Sequence, residues 1–160
     1  MIKLLGFLLP FTMLLGKETF FLLPDDQSRM FAFLSESLRK SDDSLLVATP
    51  KLHHPEFKKL LSKAARKGSR VTLILSDPQG DPLSLIQYRG IDLFLYRARP
   101  MEGSVLLIGE RGICTFPVPL VSEATESEAV LVRCSEEPAS AASARKALLP
   151  LLRRSRPYLE

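Results

Sequence analysis

The sequence predicts an α/β domain built on a mixed, largely parallel sheet flanked by helices, and three observations predict it. Short apolar runs alternate with stretches of helical periodicity through the first half of the chain. Two of those runs, Ser44–Thr49 (S-L-L-V-A-T) and residues 70–76 (R-V-T-L-I-L-S), are almost unbroken, as parallel strands covered on both faces are. Proline and glycine punctuate the gaps between these early runs. At 160 residues and 17.9 kDa the chain has the size of one domain with one hydrophobic core.

The elements follow in order. Residues 19–23 (T-F-F-L-L) form an aromatic, apolar strand closed by Pro24. Asp25 or Asp26 caps the next helix, which runs to about Lys40. Its Met30, Leu34 and Leu38 recur every four residues, with Phe31 beside them, so one face is buried. The strand Ser44–Thr49 comes next and Pro50 closes it. Pro55 suits the first turn of a second helix. Phe57, Leu60, Leu61 and Ala64 are its apolar stripe, and Gly68 stops it. The strand at 70–76 leads into a loop, Asp77-Pro78-Gln79-Gly80-Asp81-Pro82, a short helix expected over 83–89, and a strand over 91–96.

Residues Ser104–Ile108 and Gly112–Phe116 read as a hairpin around Gly109-Glu110-Arg111-Gly112. Pro117-Val118-Pro119 does not fit a central strand. Residues 121–128 are polar and acidic, and 129–134 are a further strand. Pro138 opens a C-terminal helix that Pro150 is expected to kink or end. Arg153-Arg154-Ser155-Arg156 is then left as a basic tail, a fraying helix end or a contact for anionic lipid.

The first sixteen residues stand apart from this pattern. Met1-Ile2-Lys3 is a short positive start, and residues 4–15 are apolar apart from Gly6, Pro10 and Thr12. Gly16-Lys17-Glu18 ends the run. Residues 1–16 therefore read as a signal peptide or an N-terminal membrane anchor, and 17–160 as one domain. The run is short for a comfortable membrane span, and Leu14 stands where a signal peptidase prefers a small residue. Either form makes the chain exported, periplasmic or membrane-anchored. In such a compartment Cys114 and Cys134 are candidates for a disulfide; the alternative is two small buried thiols.

Charge and residue counts limit the chemistry. The formal net charge is +4, too mild to imply nucleic acid by itself. No C-x-x-C or Cys/His cluster occurs, so neither a metal site nor a cofactor is expected. The only two histidines are neighbours, His53 and His54, at the start of the second helix. They fall near the C-terminal ends of the parallel strands, where ligands bind in open α/β sheets. His54 also precedes Pro55 at a helix cap, which suits a structural role. Lys59, Lys63, Arg66 and Lys67 share one face of that helix, with Lys58 beside it. They are candidates for phosphate-backbone contacts, or equally a solvated face. Glu123, Glu126, Glu128, Glu136 and Glu137 make the region after the hairpin acidic and unfavourable to a nucleic-acid channel.

Three stretches carry a family resemblance: K-E-T-F-F-L-L-P (17–24), S-L-L-V-A-T (44–49) and H-H-P-E-F-K-K-L-L-S-K-A-A-R-K-G-S-R-V-T-L-I-L (53–75). Together with the order of elements they resemble the phospholipase D superfamily, in particular its small, exported, single-domain bacterial nucleases. The resemblance implies a phospholipase D-like fold. It also implies an active site with a histidine and a lysine two residues apart and an aspartate five residues further on, just before a hairpin. There one histidine attacks phosphorus, the lysine holds the phosphate oxygens, and a second histidine is the general acid. Single-domain members pair to bring two histidines together and need no metal.

The matching stretch here is Met101-Glu102-Gly103-Ser104-Val105-Leu106-Leu107-Ile108-Gly109. Aligned on its apolar strand, it has Glu102 at the histidine, Ser104 at the lysine and Gly109 at the aspartate. A slide of one residue gives Met101, Gly103 and Ile108 instead. Neither register supplies the catalytic groups, and groups that act as a unit are lost as a unit. The expectation is an exported or membrane-tethered phospholipase D-like domain that is catalytically degenerate and works as a binding or pairing module. The partner would be a second copy or an active paralogue. Two alternatives are a metal-independent phosphodiesterase with an altered site at His53, His54 or Glu102, and a binder of nucleic acid or anionic membrane.

Overall fold

The computed structural model describes residues 18–40, 44–79 and 89–158. The apolar segment 1–16 and all of the expected helix at 83–89 except Arg89 lie outside the described residues. Strand β1 (Glu18–Leu23) leads into helix α1 (Gln27–Lys40), β2 (Ser44–Thr49), a two-residue β3 (Leu52–His53) and α2 (Pro55–Arg66). Then come β4 (Arg70–Leu75), β5 (Ile91–Leu95), β6 (Ser104–Ile108), β7 (Gly112–Phe116) and β8 (Leu120–Val121). The chain finishes with α3 (Ser122–Glu126), β9 (Val130–Ser135), α4 (Pro138–Arg153) and β10 (Arg156–Pro157).

Eight of these strands form one sheet in the order β1-β9-β7-β6-β2-β4-β5-β10, and β3 pairs with β8 in a small second sheet. The large sheet is mixed, as expected, but its parallel part is narrow. Among the described residues β2 pairs parallel with β4 and β4 with β5, while the remaining neighbours in that sheet pair antiparallel. The reason is local. Long connections join β2 to β4 and β4 to β5, whereas β6 and β7 form a tight hairpin that reverses the chain.

Period-two alternation decides which face each strand residue serves. Val47, Leu73, Leu106, Cys114, Val132 and Phe21 point to the face covered by α1 and α2, whose Met30, Leu34, Phe57 and Leu61 complete that core. Ala48 and Ile74 point to the other face, where Tyr96 and the α4 residues Leu148, Leu151 and Leu152 pack on them. The apolar stripe of α2 and the buried positions of β2 and β4 are those the sequence predicts.

Two expectations are corrected at the C-terminus. Pro150 does not end α4, which continues to Arg153. It stands in the last turn, where Leu151 and Leu152 are held by packing and Arg154 N–H still donates to Pro150 O (3.2 Å). The basic tail is not a frayed end either. Arg156 and Pro157 pair with Leu95 and Phe94 as an edge strand, and Tyr158 N–H donates to Leu93 O (2.9 Å).

Leu73 is fully buried on the central strand β4, so Leu73→Ala is expected to cost about 2–5 kcal/mol of stability, read as a lowered midpoint in urea denaturation.

Candidate functional site

The parallel strands β2 and β4 and the start of β6 converge at one edge of the sheet, and hydroxyl groups hold that edge together. Thr49, the last residue of β2, is fully buried. Its Oγ1 accepts from Leu120 N–H (3.1 Å) and lies 3.0 Å from Lys51 O. Ser104, the first residue of β6, is 2 % exposed. Its Oγ lies 2.8 Å from Thr49 Oγ1 and 2.8 Å from Val118 O. Two hydroxyl protons thus serve three contacts, and no charge is present among them. Pro50 O accepts from Ser76 N–H (3.2 Å) and Asp77 N–H (2.7 Å), which ties the end of β4 to the same edge.

The three motif positions therefore have separate fates. Glu102 is exposed in the segment before β6. Ser104 is sealed from solvent beneath Val118 and Leu120. Gly109 is buried beyond the far end of β6, with φ +58° and its carbonyl accepting from Arg145 Nη2 of α4. Between the first two, Gly103 runs so close to β7 that a Cβ there would stand 2.6 Å from Phe116 O. In the one-residue slide, Met101 is half-buried and packs with the α4 cluster, and Ile108 is core. The structure gathers no nucleophile, cation and acid in either register.

His53 and His54 diverge. His53 ends β3 with its side chain exposed, and its carbonyl lies 3.5 Å from Ser122 Oγ of α3. His54 is 1 % exposed and is the N-cap of α2. Its Nδ1 accepts from Glu56 N–H (3.2 Å), satisfying one of the orphan donors of the first turn. The ring packs edge-on against Phe57 at 4.9 Å and tilted to Phe31 at 5.8 Å. Nε2 faces Glu126 Oε1 of α3 at 3.9 Å, beyond hydrogen-bond length. Burial pushes the His54 imidazole below its ordinary value, against the smaller opposing pull of the Glu126 and Glu56 carboxylates. With Nδ1 occupied and the ring enclosed, a phosphodiester has no approach to it.

The cations of α2 lie elsewhere. Lys59 pairs with Glu56 (3.3 Å), while Lys63, Arg66 and Lys67 are exposed near the C-terminal end of the helix. That end feeds directly into the first residue of β4, so the cluster is at the opposite edge of the sheet from Thr49 and Ser104. Cys114 and Cys134 are joined by a disulfide, directly opposite each other on β7 and β9. Among the described residues no group of three or more His, Cys, Asp or Glu side chains stands together to hold a metal ion. Sequence reasoning missed the Thr49–Ser104 contact, because neither hydroxyl has a spacing that announces a partner 55 residues away. The one available signal was a threonine closing an otherwise apolar buried strand.

This architecture is the phospholipase D superfamily fold. In particular, the chain is similar to NucT from Helicobacter pylori (TM-score 0.77, 15% identity, 90% of this chain and 100% of that one). It is similar also to Nuc from Salmonella typhimurium, a phospholipase D family member (TM-score 0.76, 15% identity, 91% and 100%). Phosphatidylserine synthase from Haemophilus influenzae matches with a TM-score of 0.66 at 13% identity, over 88% of this chain and 39% of that one. At these identities the likeness is one of fold. No protein-family model and no curated protein sequence matches the chain.

Two outcomes are expected. Thr49→Val orphans the buried Leu120 N–H and should cost about 1–3 kcal/mol, measured by denaturation at neutral pH. An unfolded histidine titrates at about 6.5, above folded His54, so the unfolded chain takes up the proton more readily. This contribution is intact above that pH and declines as pH falls through it. Wild type should therefore lose more stability than His54→Asn between about pH 8 and about pH 5.5, because asparagine caps without titrating.

Proposed function

We propose that the chain is an exported or membrane-tethered phospholipase D-like domain that has lost catalysis and serves as a binding or pairing module. One observation carries this reading: the position that the family resemblance gives to the phosphate-gripping lysine is Ser104, neutral, buried and hydrogen-bonded to the chain's own backbone and to Thr49. A phosphoryl-transfer site needs cationic or dipolar groups aimed at the developing charge, and this edge offers none at that point. Glu102 in place of the nucleophile and Gly109 in place of the aspartate support the same conclusion.

Export or tethering is supported by the sequence of residues 1–16 and by the Cys114–Cys134 disulfide, a bond that persists in oxidising compartments. Pairing is supported by the family logic in which two copies complete one site. A fold kept without its chemistry retains a surface through which it can join a second copy or an active paralogue.

Incubation with single- and double-stranded DNA and a chromogenic phosphodiester, with chelator present, tests the loss of catalysis. No turnover above buffer is expected. Turnover abolished by changing both His53 and His54 to alanine would refute the reading and relocate the active site. Light scattering tests pairing: a mass above the 17.9 kDa monomer supports it, and a clean monomer counts against self-association.

A further inference from the structure

The two faces of the sheet are covered unequally. Cross-strand register places Ala48, Val105, Thr115, Arg133 and Phe20 on one face, running from β2 to the edge strand β1. Helix α4 covers this face over β2 and β4. On β9 and β1 of the same face, Phe20 is 48%, Leu22 43% and Leu131 56% exposed. Leu22 and Leu131 are direct cross-strand partners, and Phe20 lies two residues from Leu22 on the same side. They form an apolar strip on a surface whose other large apolar side chains, among the described residues, are covered except for Leu149. Beside the strip, Glu18 and Arg133 neutralise each other in an ion pair.

The chain that leads into this strip is itself apolar. Residues 4–15 carry no charge, and the described chain begins at Glu18, two residues before Phe20. A strand rises about 3.4 Å per residue, so Leu22 is about 14 Å along the surface from Glu18. A β1 strand lying along a bilayer keeps Phe20, Leu22 and Leu131 at one level, close to Glu18, where the described chain begins. The Arg133 guanidinium then sits among head groups, where arginine side chains settle.

We infer that this strip is a lipid-contact surface: Phe20, Leu22 and Leu131 rest at the boundary between head groups and acyl chains of the bilayer that residues 4–15 enter. This rests on the tethered form of the reading above. The contact is made by apolar side chains beside a neutralised ion pair. It needs no anionic lipid and resists salt, unlike any contact through the Lys59–Lys67 face of α2.

The test uses the full chain with vesicles of neutral phosphatidylcholine. Leu131→Cys and, separately, Lys63→Cys are labelled with an environment-sensitive fluorophore, the native cysteines being joined to each other. Leu131 is exposed, so the substitution leaves the core intact. Lys63 lies on the outer side of the helix that covers the opposite face. The expected result is flotation with the vesicles, a blue shift at 131, and quenching there by spin-labelled acyl chains several-fold stronger than at 63, unchanged by high salt. Flotation without quenching at 131 overturns the lipid-contact surface and leaves the tether standing. Absence of flotation overturns both. Stronger quenching at 63 transfers the contact to the basic helix and overturns the proposal. So does a blue shift at 131 without lipid that grows with protein concentration, because the strip then meets a second copy. Phe20→Ser in the Leu131→Cys background should weaken the quenching without abolishing flotation.

Discussion

The C-terminal halves of β2 and β4, residues 47–49 and 73–75, are buried on both faces, and the rest of the molecule is arranged around that constraint. Their residues alternate between two apolar environments, so helices must stand on both faces of the sheet. One face is closed by α1 and α2, which the chain supplies early and locally. The other is closed by α4, which arrives last in sequence and covers the middle of the sheet. The ends of β2 and β4 then become the place where backbone must be satisfied by other means. Thr49, Ser104 and the Pro50 carbonyl do so there.

Fold and chemistry separate cleanly in such an arrangement. The sheet draws its stability from inward-facing Leu, Val and Phe, whereas catalysis on this scaffold depends on a few polar groups at one edge. At that edge Ser104 is a small, neutral hydroxyl that fits under the 117–120 loop and joins the hydrogen-bonded cluster with Thr49.

Much of this was legible in the sequence, for identifiable reasons. Ser44–Thr49 is an almost unbroken apolar run and the α2 stripe a strong periodic signal, and both strand and helix stand where they predict. The hairpin β6–β7 was marked by its glycines. What escaped were features settled by distant partners. The two-residue strands β3, β8 and β10 exist because something lies beside them, not because two residues have a preference. Pro150 was judged by its local cost, yet tertiary packing of Leu151 and Leu152 carries the helix past it. His54 was readable as a cap from the proline that follows it. Its enclosure by Phe31, Phe57 and α3 was not. The buried site edge was illegible because Thr49, Ser104 and Leu120 come from three separate segments.

Among the described residues, the first strand of the chain pairs only with β9, so Glu18 waits for Arg133 across 115 positions. Closing so long a loop is slow, because its entropy is spent before any contact repays it. Until β9 is made, Phe20-Phe21-Leu22-Leu23 has no neighbour in the sheet. The nascent chain therefore keeps its N-terminal end open through most of synthesis. In the exported form proposed above, that ordering is an advantage: a strand near the N-terminal end is among the last to commit.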